Sequence, residues 1–317
     1  MPERLITAAP SEIARFSAKE LKEAIWASEG RVVLAQNYVL LGELVAGVAQ
    51  PELAVAFGAD MIMLNGYFMD SETAHPGLSI AAERASNPKY LRAAEVKGLV
   101  GVPVGIYLEC PDPQSKVAGN RWTPHQNRVA SPENLRRVKD EGADFVVIGG
   151  NPGSGTSIER IIATTRIAKE VLGDDVLIFA GKWEDGTIDR VLGDPLASRP
   201  AREVIKDLID AGADVITLPG PGSRQGITVD MIRTLVEFVH QYKPGTLAMV
   251  FLDQSVEGAD VDTIRLLALD SRKTGADIHA IGDAGPTGIA PPENIYQFSL
   301  TIKGRLKTWF RMAVRNR

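Results

Sequence analysis

The sequence predicts an α/β protein built as one (β/α)8 barrel, and three observations carry that prediction. Eight short, nearly all-apolar runs alternate with helix-period segments. A Gly-Ala-Asp phrase recurs where helices hand over to strands, and composition does not break along the 317 residues. Near-continuous apolarity suits parallel strands covered on both faces, and their alternation with helices suits a barrel. A doubly wound sheet shares the alternation but usually has fewer strands and a domain break. The expected organisation is one domain over 1–317, with 1–30 as an N-terminal helical extension and 31–317 as the barrel.

The elements follow in order. Ser17-Ala18-Lys19-Glu20 has the form of a capping box and opens an extra helix before the first strand. Strands are expected in RVVLAQN (31–37), MIMLNG (61–66), PVGIYLEC (103–110), FVVIGG (145–150), VLIFAGK (176–182), VITLPG (215–220), LAMVFLD (247–253) and IHAIGD (278–283). Four of them are introduced by AFGAD (56–60), DEGAD (140–144), DAGAD (210–214) and KTGAD (273–277). In that phrase Gly ends a helix cheaply in the left-handed conformation, Ala permits a close turn and Asp opens the strand. EGAD at 257–260 precedes a helical pattern instead and is expected to be loop. The clearest helices are Ser157–Leu172, Arg202–Ala211, Thr228–Tyr242 and Val261–Lys273. Ser131-Pro132 supplies an N-cap and a proline at the first helical position.

Composition excludes several classes. Hydrophobic residues make up 44% and charged residues 24%, with a net charge of −5, so a nucleic-acid partner is not expected and any anion site must be local. The single cysteine, Cys110, rules out an intramolecular disulfide and suits a reducing compartment. The N-terminus lacks the apolar core of a signal peptide, and no run reaches membrane-spanning length. A cytoplasmic protein without a membrane partner is the expectation.

In such barrels the site lies where strands end and βα loops begin. The strand ends carry Gln36-Asn37, Asn65, Glu109-Cys110 followed by Asp112, Gly150, Lys182 followed by Glu184-Asp185, Pro219-Gly222, Asp253-Gln254 and Asp283. Lys182 stands out: a lysine at the mouth can form a Schiff base or bind a carboxylate or phosphate, or it can snorkel and pair with Glu184 or Asp185. Glu109, Asp253 and Asp283 are candidates for proton transfer. Glu109, Asp112 and Asp283 could alternatively meet at Mg²⁺, the one cofactor this pattern suits, although none is required. His75, His125, His240 and His279 lack zinc-ligand spacing. His279 shares its parity with apolar Ile62, Val146 and Ile216 and is expected behind the barrel wall, and Cys110 is expected to pack.

Three long loops follow strands two, three and five, and long ordered loops tend to be binding elements. The loop after strand three carries Lys116, Arg121, His125 and Arg128, which reads either as a cationic lid or as a solvated surface loop. Gly285, Thr287 and Gly288 sit after the last strand, where many barrels hold phosphate at a helix N-terminus, or where a glycine turn closes the barrel. The stretch GNPGSGTS (150–157) fits the nucleotide pattern G-x-x-x-x-G-K-[ST] except that Thr156 replaces the lysine, so no ATPase activity is expected. Asn151, Gly153, Ser154 and Gly155 could instead line an anion site with Asn65. The basic C-terminus, KGRLKTWFRMAVRNR, is expected as a final helix packing its apolar side on the barrel or a partner subunit, with RNA binding as the weaker alternative.

The GDAGPTG…PEN loop resembles the phosphate-binding TIM barrels. VPVGIYLE, ADFVVIGG and RIAKEVLGDDVLIFAGKWEDG are similar to BtpA-like barrels, related to the phosphoenolpyruvate-mutase-like enzymes. The resemblance covers most of the chain and implies a lysine after strand five, which is Lys182. Trp183 stands where that family favours histidine, and the acidic strand-end cluster of true phosphonomutases is missing. The expected function is a lyase, aldolase or isomerase acting on a small phosphorylated or carboxylated metabolite through Lys182, in a homo-oligomer. The alternatives are a Mg²⁺-dependent phosphoenolpyruvate-mutase-like enzyme and a non-catalytic barrel with an assembly role.

Overall fold

In the computed structural model, residues 3–81, 88–117, 119–184 and 189–314 are described; Asp185, Arg315 and Arg317 lie outside them. Eight parallel strands close into a barrel: Val32–Tyr38, Met61–Asn65, Val104–Glu109, Phe145–Gly149, Leu177–Gly181, Val215–Pro219, Leu247–Leu252 and Ile278–Ile281. The eighth strand pairs with the first, Val32 opposite Ile278, and this closure rules out the doubly wound alternative. All eight predicted strands are present. EGAD forms a 3-10 turn, Val256–Gly258, and Asp260 then caps the helix Val261–Lys273 (α9) through Asp262 and Thr263 N–H.

Side chains alternate across the wall, as a two-residue strand period demands. Ile62, Val104, Val146, Ile178, Ile216 and Val250 face the surrounding helices. Val32, Met61, Phe145, Phe179, Leu247 and Ile278 fill the interior. That interior is continuous with Leu5, Ile6, Ile13, Leu21 and Ile25 from the N-terminal segment and its helices Pro10–Ile13 (α1) and Ala18–Ala27 (α2). The N-terminal extension therefore belongs to the barrel core, where the sequence reading set it apart as a preceding helix. The predicted capping box is present, with Ser17 N–H donating to Glu20 and Glu20 N–H to Ser17 Oγ.

The Gly-Ala-Asp phrase has one physical role, repeated four times. Each aspartate accepts an N–H from the first or second residue of the preceding strand: Asp60 from Val33 at 3.0 Å, Asp144 from Val104 at 2.9 Å, Asp214 from Ile178 at 3.1 Å and Asp277 from Ala248 at 2.8 Å. Each also meets a basic side chain, respectively Lys303 with Arg311, Lys97, Lys22 and His240. A strand-end donor inside the wall has no ladder partner, and the carboxylate satisfies it.

The last helix does not pack its whole apolar side on the barrel. Arg305–Ala313 (α11) buries Thr308 and Arg311 and leaves Leu306 77% and Trp309 48% exposed. One charged residue is drawn to its inner face because Asp60 is fully buried and needs cations. Arg311 supplies one, and its guanidinium also donates to Leu5 O at 2.7 Å. His279, as predicted, lies behind the wall between Ser271 Oγ and Gly30 O, and burial pulls its pKa down to about 4.

Candidate active site at the barrel mouth

The C-terminal mouth is floored by aromatic rings. Trp183 continues the inward parity of Leu177, Phe179 and Gly181 and meets Tyr107 and Phe251 edge-on, with centroids 6.0 and 5.7 Å away. Gly149 makes room for it, since a Cβ there would stand 2.7 Å from the indole. Where the resembling family favours histidine, this chain has an aromatic platform.

Lys182 leaves the strand on the opposite parity. It is buried, and its Nζ donates to the backbone carbonyl of Glu184, two residues on. The lysine is thus held under its own loop. Glu184 is itself buried. Burial drives its carboxyl well above the usual range, and the charges of Asp253 and Glu109 add to the effect. The sequence reading treated Glu184 only as a partner for Lys182. Its position two residues past a buried strand-end lysine was the available signal.

Two carboxylates at the mouth are matched to arginines. Arg128 reaches Glu109 at 3.3 Å and Arg224 reaches Asp253 at 3.0 Å, all four side chains being buried. Glu109 also accepts from the Asn151 side chain and from Asn151 N–H at 2.9 Å. Burial still raises its pKa against these contacts. Asp283 accepts from Gln36 and from Asn65 Nδ2 at 3.3 Å, and burial raises it too. Asn65 and Asn151 exchange amide bonds at 3.1 and 3.2 Å, which links Glu109 to Asp283 through two amides.

Other predicted residues are placed elsewhere. Asp112 turns away to accept from Ser157 Oγ at 2.7 Å, so Glu109, Asp112 and Asp283 do not form a ligand set. No group of three acidic, histidine or cysteine side chains suited to a metal occurs among the described residues. Of the four basic residues in the third loop, only Arg128 reaches the mouth. Arg121 braces the backbone of Asp112 and Ser115, His125 caps Asn127 N–H, and Lys116 is exposed. Cys110 is buried with Sγ 3.1 Å from Gly149 O, and burial pushes its thiol up, which fits packing.

The two glycine loops are largely occupied by the protein itself. Helix Ile158–Leu172 (α6) starts after Ser157, slightly later than expected, and its Ile158 N–H donates to Asp189 at 2.8 Å. Asn151 N–H goes to Glu109, so one backbone donor of GNPGSGTS and the first N–H of the helix behind it already hold the chain's own carboxylates. Ser154 and Thr156 hydroxyls lie 3.1 Å apart and face strand three, and Ser154 helps to hold Glu109. Gly153 and Gly155 have φ of +82° and +79° beside Trp122 and Arg121, and act as turn residues. In the last loop, Gly288 accepts from Tyr38 N–H at 2.7 Å, and a Cβ on Gly285 would stand 1.9 Å from Ile289 O. Gln50 donates to Thr287 O, while Thr287 Oγ1 is a buried hydroxyl with no protein partner.

Further buried polar atoms without protein partners cluster at this end: Gln36 Oε1, Asn37 Oδ1, Tyr107 OH, Trp183 Nε1, Glu184 Oε2, Thr217 Oγ1 and Glu257 Oε2. Such atoms are rare in folded proteins and mark functional positions when they congregate. Glu257 was not anticipated. It lies below the last loop, accepts from Ala284 N–H at 3.1 Å, and burial raises its pKa to about 7.

A family model described as a domain of unknown function (DUF7916) matches residues 6–317. The chain belongs to that family. No curated protein matches it. Among solved structures, the carboxyl transferase domain of Rhizobium etli pyruvate carboxylase is 12% identical with a TM-score of 0.52, covering 96% of this chain and 51% of that one. A Tyr-to-Ala variant of that domain, solved with pyruvate, is 11% identical with a TM-score of 0.54, covering 96% and 52%. The chain thus spans about half the length of these carboxyl transferase chains, and the likeness establishes the barrel fold. A Burkholderia cenocepacia J2315 protein put forward as a lyase or mutase is 17% identical over 84% of this chain and 83% of its own, with a TM-score of 0.46, too loose to bear on function. These comparisons support a TIM-barrel type and do not single out the BtpA-like barrels. Among the described residues, no helix is long and apolar enough to cross a membrane.

Proposed function

We propose that this barrel is an enzyme of lyase, aldolase or isomerase type acting on a small carboxylated or phosphorylated metabolite. Glu184 is its proton carrier and Lys182 its neighbouring cation. The observation that supports this most is the environment of Glu184. Its carboxyl is buried beside the charges of Asp253 and Glu109, has one buried oxygen without a protein partner, and is pushed well above the usual carboxylate range by burial. A buried acid whose pKa is raised beside other carboxyls is an arrangement suited to general acid–base catalysis. Arg128 and Arg224 add positive charge beside Glu109 and Asp253, and the buried Trp183 ring floors the mouth. Asn65 and Asn151 orient Glu109 and Asp283 as secondary proton-handling groups.

The chemistry is tested with pyruvate as a small 2-oxo acid probe. In D2O, loss of the methyl proton signal reports proton exchange next to the carbonyl. The expected result is exchange above the buffer rate, reduced about 100-fold or more in Glu184→Gln. Exchange that Glu184→Gln leaves intact, or no exchange with pyruvate or 2-oxobutyrate, would overturn the assignment. Borohydride added with pyruvate tests the Schiff-base form: a reduced adduct on Lys182, absent in Lys182→Met, assigns the lysine as electrophile, and its absence leaves it an electrostatic partner.

A further inference from the structure

The opposite end of the barrel carries a cleft that the mouth chemistry does not use. It measures about 540 Å³ and lies between one face of α2, bearing Lys19, Lys22, Glu23 and Trp26, and the turn Lys243–Leu247. The four helix residues are spaced i, i+3, i+4, i+7, so they form one stripe. That stripe is distinct from the core stripe Leu21, Ala24 and Ile25. Trp26 is 50% exposed although it sits in a concavity. Its ring meets His240 edge-on at 5.3 Å and also borders a second cleft, of about 380 Å³, with His240, Arg272 and Asp277.

Charge and shape agree on what this cleft would take. Three lysines face one glutamate in a chain whose overall charge is −5. Lys22 is engaged with Asp214 at 2.8 Å, while Lys19 and Lys243 are exposed at the rim. Between them the wall is apolar: the indole, Pro244 and the lysine stems. An aromatic wall beneath a cationic rim recognises a planar ring bearing an anionic group, through ring stacking and charge-assisted contacts. We propose that this N-terminal-face cleft is a binding site, separate from the barrel mouth, for a small planar anion whose ring lies on Trp26 and whose phosphate or carboxylate meets Lys19 and Lys243.

Titration calorimetry on the full chain tests it, with adenosine 5′-monophosphate and benzoate as probes, and adenosine and inorganic phosphate as controls. At least one probe is expected to bind saturably, more tightly than either control. Affinity should fall by about tenfold or more in the Lys19→Glu/Lys243→Glu double variant, and by about fivefold or more in Trp26→Leu. Both changes are at exposed positions, and unchanged circular dichroism confirms folding. Binding should be the same in Glu184→Gln, which separates this site from the mouth. The proposal is overturned if neither probe binds, if adenosine or phosphate alone binds as well, or if the cleft variants bind like the parent.

Discussion

The two ends of this barrel handle buried charge in opposite ways. At the N-terminal end, four aspartates each meet a backbone N–H and a basic side chain, and the arrangement repeats around the barrel. At the C-terminal end, Glu184, Asp283 and Glu257 are pushed toward their protonated forms by burial, and polar atoms without protein partners gather around them. The N-terminal end gives each of these aspartates a cation, although burial still raises Asp144, while the C-terminal end adds buried polar atoms without protein partners. That asymmetry is what a site at one mouth produces, because catalytic groups need environments that a purely structural carboxylate avoids.

Breaking the N-terminal end should have the largest effect. Asp60→Ala leaves Lys303 and Arg311 buried without their carboxylate, and urea denaturation should show a loss of about 3–5 kcal/mol. A loss under about 1 kcal/mol would mean that this end is no better balanced than the mouth. Lys303 already shows the strain of its position, since burial draws its pKa down to about 8 despite Asp60.

The mouth should respond to pH instead. Glu257 has a folded pKa of about 7, above the ordinary 4.5, so its contribution is fully present below pH 4.5 and is lost as pH rises toward 7. Between those values the parent should lose roughly 2–3 kcal/mol that Glu257→Gln does not lose. Parallel stability curves for the two proteins would show that Glu257 titrates normally.

Glu184→Gln sharpens the comparison further. Replacing a buried acid by its neutral isostere should leave stability at pH 8 unchanged or raise it by about 1 kcal/mol, while the pyruvate exchange described above is lost. A destabilised variant would place Glu184 with the structural aspartates. The smallest effect is expected at the half-exposed edge of the N-terminal end. Lys97→Met removes a partner from Asp144, and thermal melting should register about 0.5–1 kcal/mol.

The architecture was legible from local patterns. Apolar runs of strand length, helix-period segments and the Gly-Ala-Asp phrase each depend on neighbours a few residues away, so eight strands and their order could be read directly. The parity that sent His279 behind the wall is likewise a local count. Residues at the mouth were legible as a set, because strand ends are where barrel chemistry collects, and Glu109, Asp253, Asp283, Asn65 and Asn151 do meet there.

Their partners were not legible. Arg128 and Arg224 come from loops, and nothing within a few residues says which loop cation turns inward while Arg121 braces backbone. Asp112 looked equivalent to Glu109 until Ser157 was seen to hold it. The burial of Arg311 in place of Trp309 depends on Asp60, some 250 residues earlier in the chain. By itself the sequence determined the barrel, its repeat and the end where polar strand-end residues gather, since strand and helix periods are local properties. Only the tertiary structure decided which carboxyls are paired, which are forced toward neutrality and which face of the last helix turns inward. Those outcomes depend on burial and on charges brought together from distant parts of the chain.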